Sequence, residues 1–453
     1  MNSTDAVAAR RRASVTGGAA RRRMLDHIRT PLHRDGYALA LNSGFTAAAG
    51  LLYWIVAARS YSTQFLGFNS ALLSSMMFLG GIGSLNLPNV VVRFLPNSGR
   101  RTSRRIAGAY CAAGVVGLCA AGIFVVGVSV WAPRLSVLRS DHVLQAWFIF
   151  STLGWCVFMI QDGVLTALGR AVWVPAENAV FSLVKLGLLA VLAASMPVYG
   201  IFVSWTVAML LSVAGVNVLV FSRLAPGARA ARDGVQASMH DRAFARYFAA
   251  DYACSISWLA ATNLMPVIVT AAAGATTNAY WALAYAVVIP FYLFGQNIGT
   301  ALTLHGSADP RDLPALTRKA AVQGARLLIP SVVALSLLAP YVLALFGKDY
   351  AENSVAVLRL LAFGALPNFM MALVLSVARV RRRLRTAVIA FASEAVLALS
   401  LAAPLIHAVG VTGAAIALVG SQYVVALVVI VGARHWLAVP ASGRPHLSVD
   451  GGE

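Results

Sequence analysis

A chain of 453 residues that is 59% hydrophobic and 11% charged, with mean hydropathy +0.76, lies outside the range of soluble domains and takes the bilayer as its solvent. Its formal charge of +20 could suit nucleic acid, but the cations gather in an N-terminal tail, in alternate gaps between apolar runs and in a C-terminal tail. That placement is a topology signal and points away from a nucleic-acid partner.

The tail, 1–35, carries Arg10, Arg11, Arg12, Arg21, Arg22, Arg23, Arg29 and Arg34 among small polar residues, which predicts disorder and attraction to anionic lipid headgroups. Apolar runs follow at 36–58, 69–92, 106–131, 143–167, 172–194 and 200–221. The first exceeds a signal-peptide core and reads as an uncleaved span. A polar linker at 223–246, with Pro226, Gly227, Asp233 and Asp241, divides the lobe 36–222 from the lobe 247–437. The second lobe holds runs at 247–273, 279–304, 316–346, 354–378, 384–408 and 411–436, before a short tail at 438–453. Each run suffices to cross about 30 Å of hydrocarbon. Because Lys and Arg are retained on the cytoplasmic side, both termini are expected in the cytoplasm, with the chain a multi-pass protein of the inner membrane.

The fold class predicted is all-α, with about twelve transmembrane helices in two six-helix lobes. A faint internal echo supports duplication: Ser62, Thr63 and Gln64 lead into Gly67 and Asn69, as Gly274, Thr276 and Thr277 lead into Asn278 and Tyr280. Cys111, Cys119, Cys156 and Cys254 lie in apolar runs without CxxC spacing, and the histidines show no HExxH, so no metal or cofactor is expected. No GxxxxGK[ST] loop for ATP occurs.

Three segments carry a family resemblance. They are Gly50-Leu51-Leu52-Tyr53-Trp54-Ile55-Val56-Ala57-Ala58-Arg59 with Gly83-Ser84-Leu85-Asn86-Leu87-Pro88; Leu264-Met265-Pro266-Val267-Ile268-Val269-Thr270 with Asn278-Ala279-Tyr280-Trp281; and Leu345-Phe346-Gly347-Lys348-Asp349-Tyr350-Ala351 with Val357-Leu358-Arg359. The chain resembles the polysaccharide-transporter, Wzx-like branch of the multidrug/oligosaccharidyl-lipid/polysaccharide (MOP) exporter superfamily over nearly all its spans. The resemblance implies two MATE-like lobes, alternating access and a polyprenyl-diphosphate-linked oligosaccharide as cargo for surface polysaccharide synthesis. Polysaccharide polymerase and glycosyltransferases are the protein partners it implies, besides membrane lipids.

Ionisable groups inside spans are costly and are therefore candidates for substrate contact. Lys185 and Arg326 read as cavity cations for a diphosphate, Arg359 as a shallower one, and Arg93 equally as a substrate contact or an interfacial anchor. Asp162, Glu177, Asp251 and Glu394 either pair with cations or couple an ion, and an ion pair between Glu394 and Arg326 is the favoured reading of those two. Arg59 sits at the outer end of the first span, against the positive-inside tendency, as an outer gate or a solvated loop residue.

Helical spacing places Asp251, Ser255, Trp258 and Thr262 on one face, and Trp281, Tyr285, Tyr292 and Gln296 on another. The second stripe suits a sugar, and interfacial anchoring competes for Trp281. Asn297 borders that stripe, about 100° away, and suits a bridge to a neighbouring helix better. Asn42, Thr46 and Tyr53 form a weaker stripe, with Asn42 a candidate contact. Beside the flippase stand a drug/cation antiporter of the same superfamily and a membrane glycosyltransferase or polymerase. Short outer loops and the lack of a catalytic centre disfavour the enzyme.

Overall fold

The computed structural model describes residues 31–228, 242–308 and 311–437, so the tail arginines before Pro31, the middle of the linker and the C-terminal tail lie outside the described residues. The first half comprises α1 (Pro31–Ser60), α2 (Thr63–Ser84), the short α3 (Leu87–Phe94), α4 (Thr102–Trp131), α5 (His142–Ala167), α6 (Trp173–Ser195) and α7 (Gly200–Leu219). The second comprises α8 (Arg242–Ala273), α9 (Ala275–Ala308), α10 (Leu313–Ala344), α11 (Val355–Val380), α12 (Arg385–Val409) and α13 (Val411–Leu437). Eleven of the helices, counted among described residues, are long and apolar enough to cross a membrane, and α1 adds a further thirty-residue helix.

Helix ends follow local chemistry. Ser62 caps α2 by accepting from the Phe65 amide, and Asp141 caps α5 by accepting from Val143 and Leu144. Single glycines, Gly274 (φ +100°) and Gly410 (φ +67°), reverse the chain between α8 and α9 and between α12 and α13.

The span expected at 69–92 is instead two helices. Leu85 (φ 49°) and Asn86 (φ 56°) are consecutive left-handed residues, and Pro88 in the first turn of α3 brings no amide hydrogen to continue α2. The membrane-crossing helix therefore starts earlier, at Thr63.

In the N lobe α1 packs on α6, and α2 packs on α4, α5 and α7; in the C lobe α11 packs on α9, α10 and α13, and α12 on α8 and α13. The lobes meet chiefly through α2, which runs between α8 and α9. At the end bearing the arginine-poor loops, Asn278 Nδ2 donates to the Gly67 carbonyl at 2.8 Å. A Cβ at Gly67 would fall on the Ala275 carbonyl, so this approach requires glycine. At the arginine-rich end Tyr252 donates to the Ile82 carbonyl at 2.7 Å.

Asn69, two residues after Gly67 in the sequence echo, ties α2 within its own lobe. Its Nδ2 donates to the carbonyls of Phe65 and Val198, each at 2.7 Å, and its Oδ1 accepts from the Phe202 amide at 2.9 Å. It thereby satisfies an amide in the first turn of α7 that has no intrahelical acceptor.

Candidate functional site

A cavity of about 290 Å³ opens between the lobes toward the arginine-rich end. The broken α2–α3 segment contributes Ser84, Asn86 and Asn89; α8 contributes Tyr252, Ser255 and Trp258; α9 contributes Gln296 and Thr300; α11 contributes Asn368, Ser376 and Arg379. Arg379 is the one charged side chain among the described residues of this wall. Amides and hydroxyls alongside indole and phenol rings suit a hydroxyl-bearing headgroup. The volume is at the low end for ligand sites, so an extended substrate requires the lobes to part.

The mouth of the cavity is closed by a chain of polar groups. Arg379 Nε donates to Asp251 Oδ1 at 2.7 Å, Asn86 Nδ2 donates to Asp251 Oδ2 at 3.2 Å, and Asn89 Nδ2 donates to Asn86 Oδ1 at 2.7 Å. The chain joins the N lobe through α3 and its preceding turn to the C lobe through α8 and α11. At the opposite end Arg59 Nε and a terminal guanidinium nitrogen donate to the carbonyls of Leu345 and Ala344 at 3.0 and 3.1 Å, and Arg134 stands against Gly274. Both ends thus carry contacts between lobes.

Of the residues singled out in the sequence, Gln296, with Ser255 and Trp258 from the stripe on α8, reaches the cavity. The backbone of Asn42 lies in α1, but its side chain is outside the described residues. Arg93 is exposed at the end of α3, and Asn297 is exposed and off the cavity wall.

Tyr292 is buried in the C lobe and donates to the Leu361 carbonyl at 3.2 Å, while Tyr285 stacks on Trp281 with ring centroids 6.0 Å apart. Both pack among lobe helices, so a helical stripe can be continuous along one face while only one end of it reaches the seam.

The expected cationic path of Lys185, Arg326 and Arg359 is not assembled at the cavity. Lys185 is 5% exposed inside the N lobe, its Nζ lying 3.8, 4.9 and 5.0 Å from the ring centres of Trp205, Phe181 and Tyr53. Arg326 is exposed and stands roughly 160° around α10 from buried Leu328, so it faces away from the protein. Beyond it, residues 327–344 are free of charge and cover about 27 Å, which places Arg326 at the edge of the apolar layer instead of deep within it. Arg359 is exposed and donates to the Ser336 carbonyl at 3.0 Å.

The favoured Glu394–Arg326 pair is not formed. Glu394 is buried within the C lobe, where its Oε2 has no hydrogen-bond partner among the described residues, nor do the amide atoms of buried Gln422. In the N lobe Gln161 and Ser212 donate to Glu177, while Asp162 Oδ1 and Glu177 Oε2 are unpartnered among the described residues. Asp251 is the carboxylate that finds a cation, in Arg379.

Arg379, Asn86, Asn89, Asn368 and Ser376 were not singled out as site residues by sequence reasoning. Arg379 reads in sequence as one more topology arginine in the cluster at 379–385. Its only distinguishing mark is that it is first in the cluster, directly on the end of an apolar run.

No protein-family model and no curated protein matches the chain. Its fold is similar to that of solved transporters. One is an inward-facing MATE-family multidrug-resistance transporter of the MOP superfamily, with 15% identity and TM-score 0.60 over 86% of this chain and 94% of that one. Another is the lipid II flippase MurJ in an inward closed conformation, with 12% identity and TM-score 0.69 over 88% and 87%. A third is a MOP-superfamily transporter from Pyrococcus furiosus, whose binding pocket is described as having reversed polarity, with 14% identity and TM-score 0.55 over 87% and 93%. The chain therefore has the all-α, two-lobed fold of the MOP and MATE architecture.

Proposed function

We propose that the chain is a secondary transporter that works by alternating access and carries the headgroup of a lipid-linked oligosaccharide from the inner to the outer leaflet. The observation that carries this reading is the cavity wall, where amides, hydroxyls and aromatic rings surround one arginine at the seam of two lobes. A diphosphate would meet Arg379, sugars would meet the amides and rings, and the polyprenyl tail would remain in lipid. The arginine-rich end is then cytoplasmic, as the positive-inside distribution requires. An inside-negative potential assists outward movement of a doubly charged headgroup by at most about 4.6 kcal/mol per 100 mV.

The drug/cation antiporter is the second reading, favoured by the carboxylates Asp162, Glu177 and Glu394, which lie inside the lobes without an ion-pair partner among the described residues. The MATE-family likenesses add weight to it. Reconstitution separates the two. Protein in liposomes is offered a labelled polyprenyl-diphosphate glycan and, separately, a fluorescent organic cation under an imposed Na⁺ or proton gradient. Glycan reaching the far leaflet supports the flippase; cation movement without glycan movement assigns the antiporter.

A further inference from the structure

We propose that Arg379 is the anion-binding group of the cavity and that Asp251 acts as a resident competitor, yielding the guanidinium when a phosphate or diphosphate headgroup enters. The inference rests on the transporter reading for the source of the headgroup, but the site itself stands on geometry.

Arg379 engages Asp251 through Nε, and its two terminal nitrogens have no protein acceptor among the described residues. Its side chain is 25% exposed and lines the cavity, whereas that of Asp251 is 7% exposed and is not part of the wall. The unoccupied fork of a guanidinium matches two oxygens of a phosphate. Asn89, Gln296 and Ser376 lie on the same wall as further hydrogen-bonding groups.

The same carboxylate holds the lobes together. Asp251 Oδ2 accepts from Asn86, whose left-handed backbone turn aims the amide across the seam. A headgroup that takes Arg379 leaves Asp251 with one partner in place of two. The inter-lobe link weakens at the moment when the cavity is loaded, so substrate recognition and release of this end share one residue pair.

The test compares Asp251→Asn with Arg379→Gln, Arg379→Lys and the exposed-loop control Arg383→Gln, all in the full chain. Binding of inorganic diphosphate is measured by calorimetry at fixed ionic strength, and binding of polyprenyl diphosphate is measured in nanodiscs.

Asp251→Asn should bind about tenfold tighter than the native chain, because the competitor loses its charge. Arg379→Gln should lose binding, Arg379→Lys should keep a weakened form, and Arg383→Gln should match the native chain. A gain of affinity cannot arise from misfolding. Arg379-dependent binding of inorganic diphosphate assigns a phosphate site as such; binding of the polyprenyl form alone assigns a lipid-borne headgroup. Unchanged or weaker binding of both probes to Asp251→Asn overturns the proposal, as does native affinity in Arg379→Gln. A chain that binds through Arg379 yet moves no glycan keeps the site and removes the flippase reading.

Discussion

Arg359 donates to the carbonyl that Pro340 leaves without a helix donor. Proline at 340 removes the amide that would bond to Ser336, four residues earlier in α10, and the guanidinium from α11 meets that carbonyl at 3.0 Å. The same device recurs in α11, where Pro367 frees the Phe363 carbonyl and Tyr423 from α13 donates to it at 3.0 Å. Two prolines inside helices are thereby stapled to neighbouring helices. Arg359→Ala is expected to destabilise the chain by about 0.6–1.7 kcal/mol in thermal unfolding. In a Pro340→Ala background the carbonyl regains its amide and the loss should largely vanish. A double-mutant cycle without coupling contradicts the assignment.

Among the described residues, Lys185 is held by aromatic rings alone. Cation–π contact returns about 0.5–2 kcal/mol, against a burial cost of several kcal/mol for an ammonium without a counter-ion. Lys185→Met is therefore expected to raise the melting temperature, with Trp205→Leu less damaging in that background than in the native one. A lower melting temperature for Lys185→Met would show that the ammonium contributes net stability.

The arginine-poor end is closed by Arg59 on the Leu345 and Ala344 carbonyls and by the approach of Gly67 to α9. Arg59→Ala removes two hydrogen bonds and Gly67→Ala forces the helices apart. Both should lengthen the distance between nitroxide labels at Arg139→Cys in the N lobe and Glu352→Cys in the C lobe, with Cys111 and Cys119 replaced by serine. An unaltered distance distribution in both variants rules out a gate at this end.

Asn69 supplies the Phe202 amide with its acceptor and two carbonyls with a donor. Asn69→Leu keeps the side chain's heavy-atom branching and leaves buried backbone groups unpaired, so a loss of about 1–3 kcal/mol is expected in unfolding experiments. Asn69→Asp restores only the acceptor and should recover part of it. Equal stability of the leucine variant and the native chain would mean that water or another side chain satisfies these groups.

Of the residues on the polar helical stripes, Gln296, Ser255 and Trp258 line the cavity while Tyr285 and Tyr292 pack within the C lobe; Lys185 and Arg326, singled out as ionisable groups inside spans, lie off its wall. The spacing of residues along a helix tells which side chains share a face, and Lys319, Gln323 and Arg326 do share one. It does not tell which way that face turns. In α10 the buried stripe is Gly324, Leu328, Leu335 and Ala339, so the cationic face looks outward.

Sequence alone dictates about twelve helices of membrane-crossing length and the approximate limits of most of them, because hydrocarbon thickness and the cost of unpaired backbone leave little freedom there. Only tertiary packing decided the rotation of each helix and the choice of Arg379 over Lys185 and Arg326 at the cavity. Those depend on packing between helices remote in sequence: Asp251 and Arg379 are 128 positions apart, and no local pattern announces that they meet.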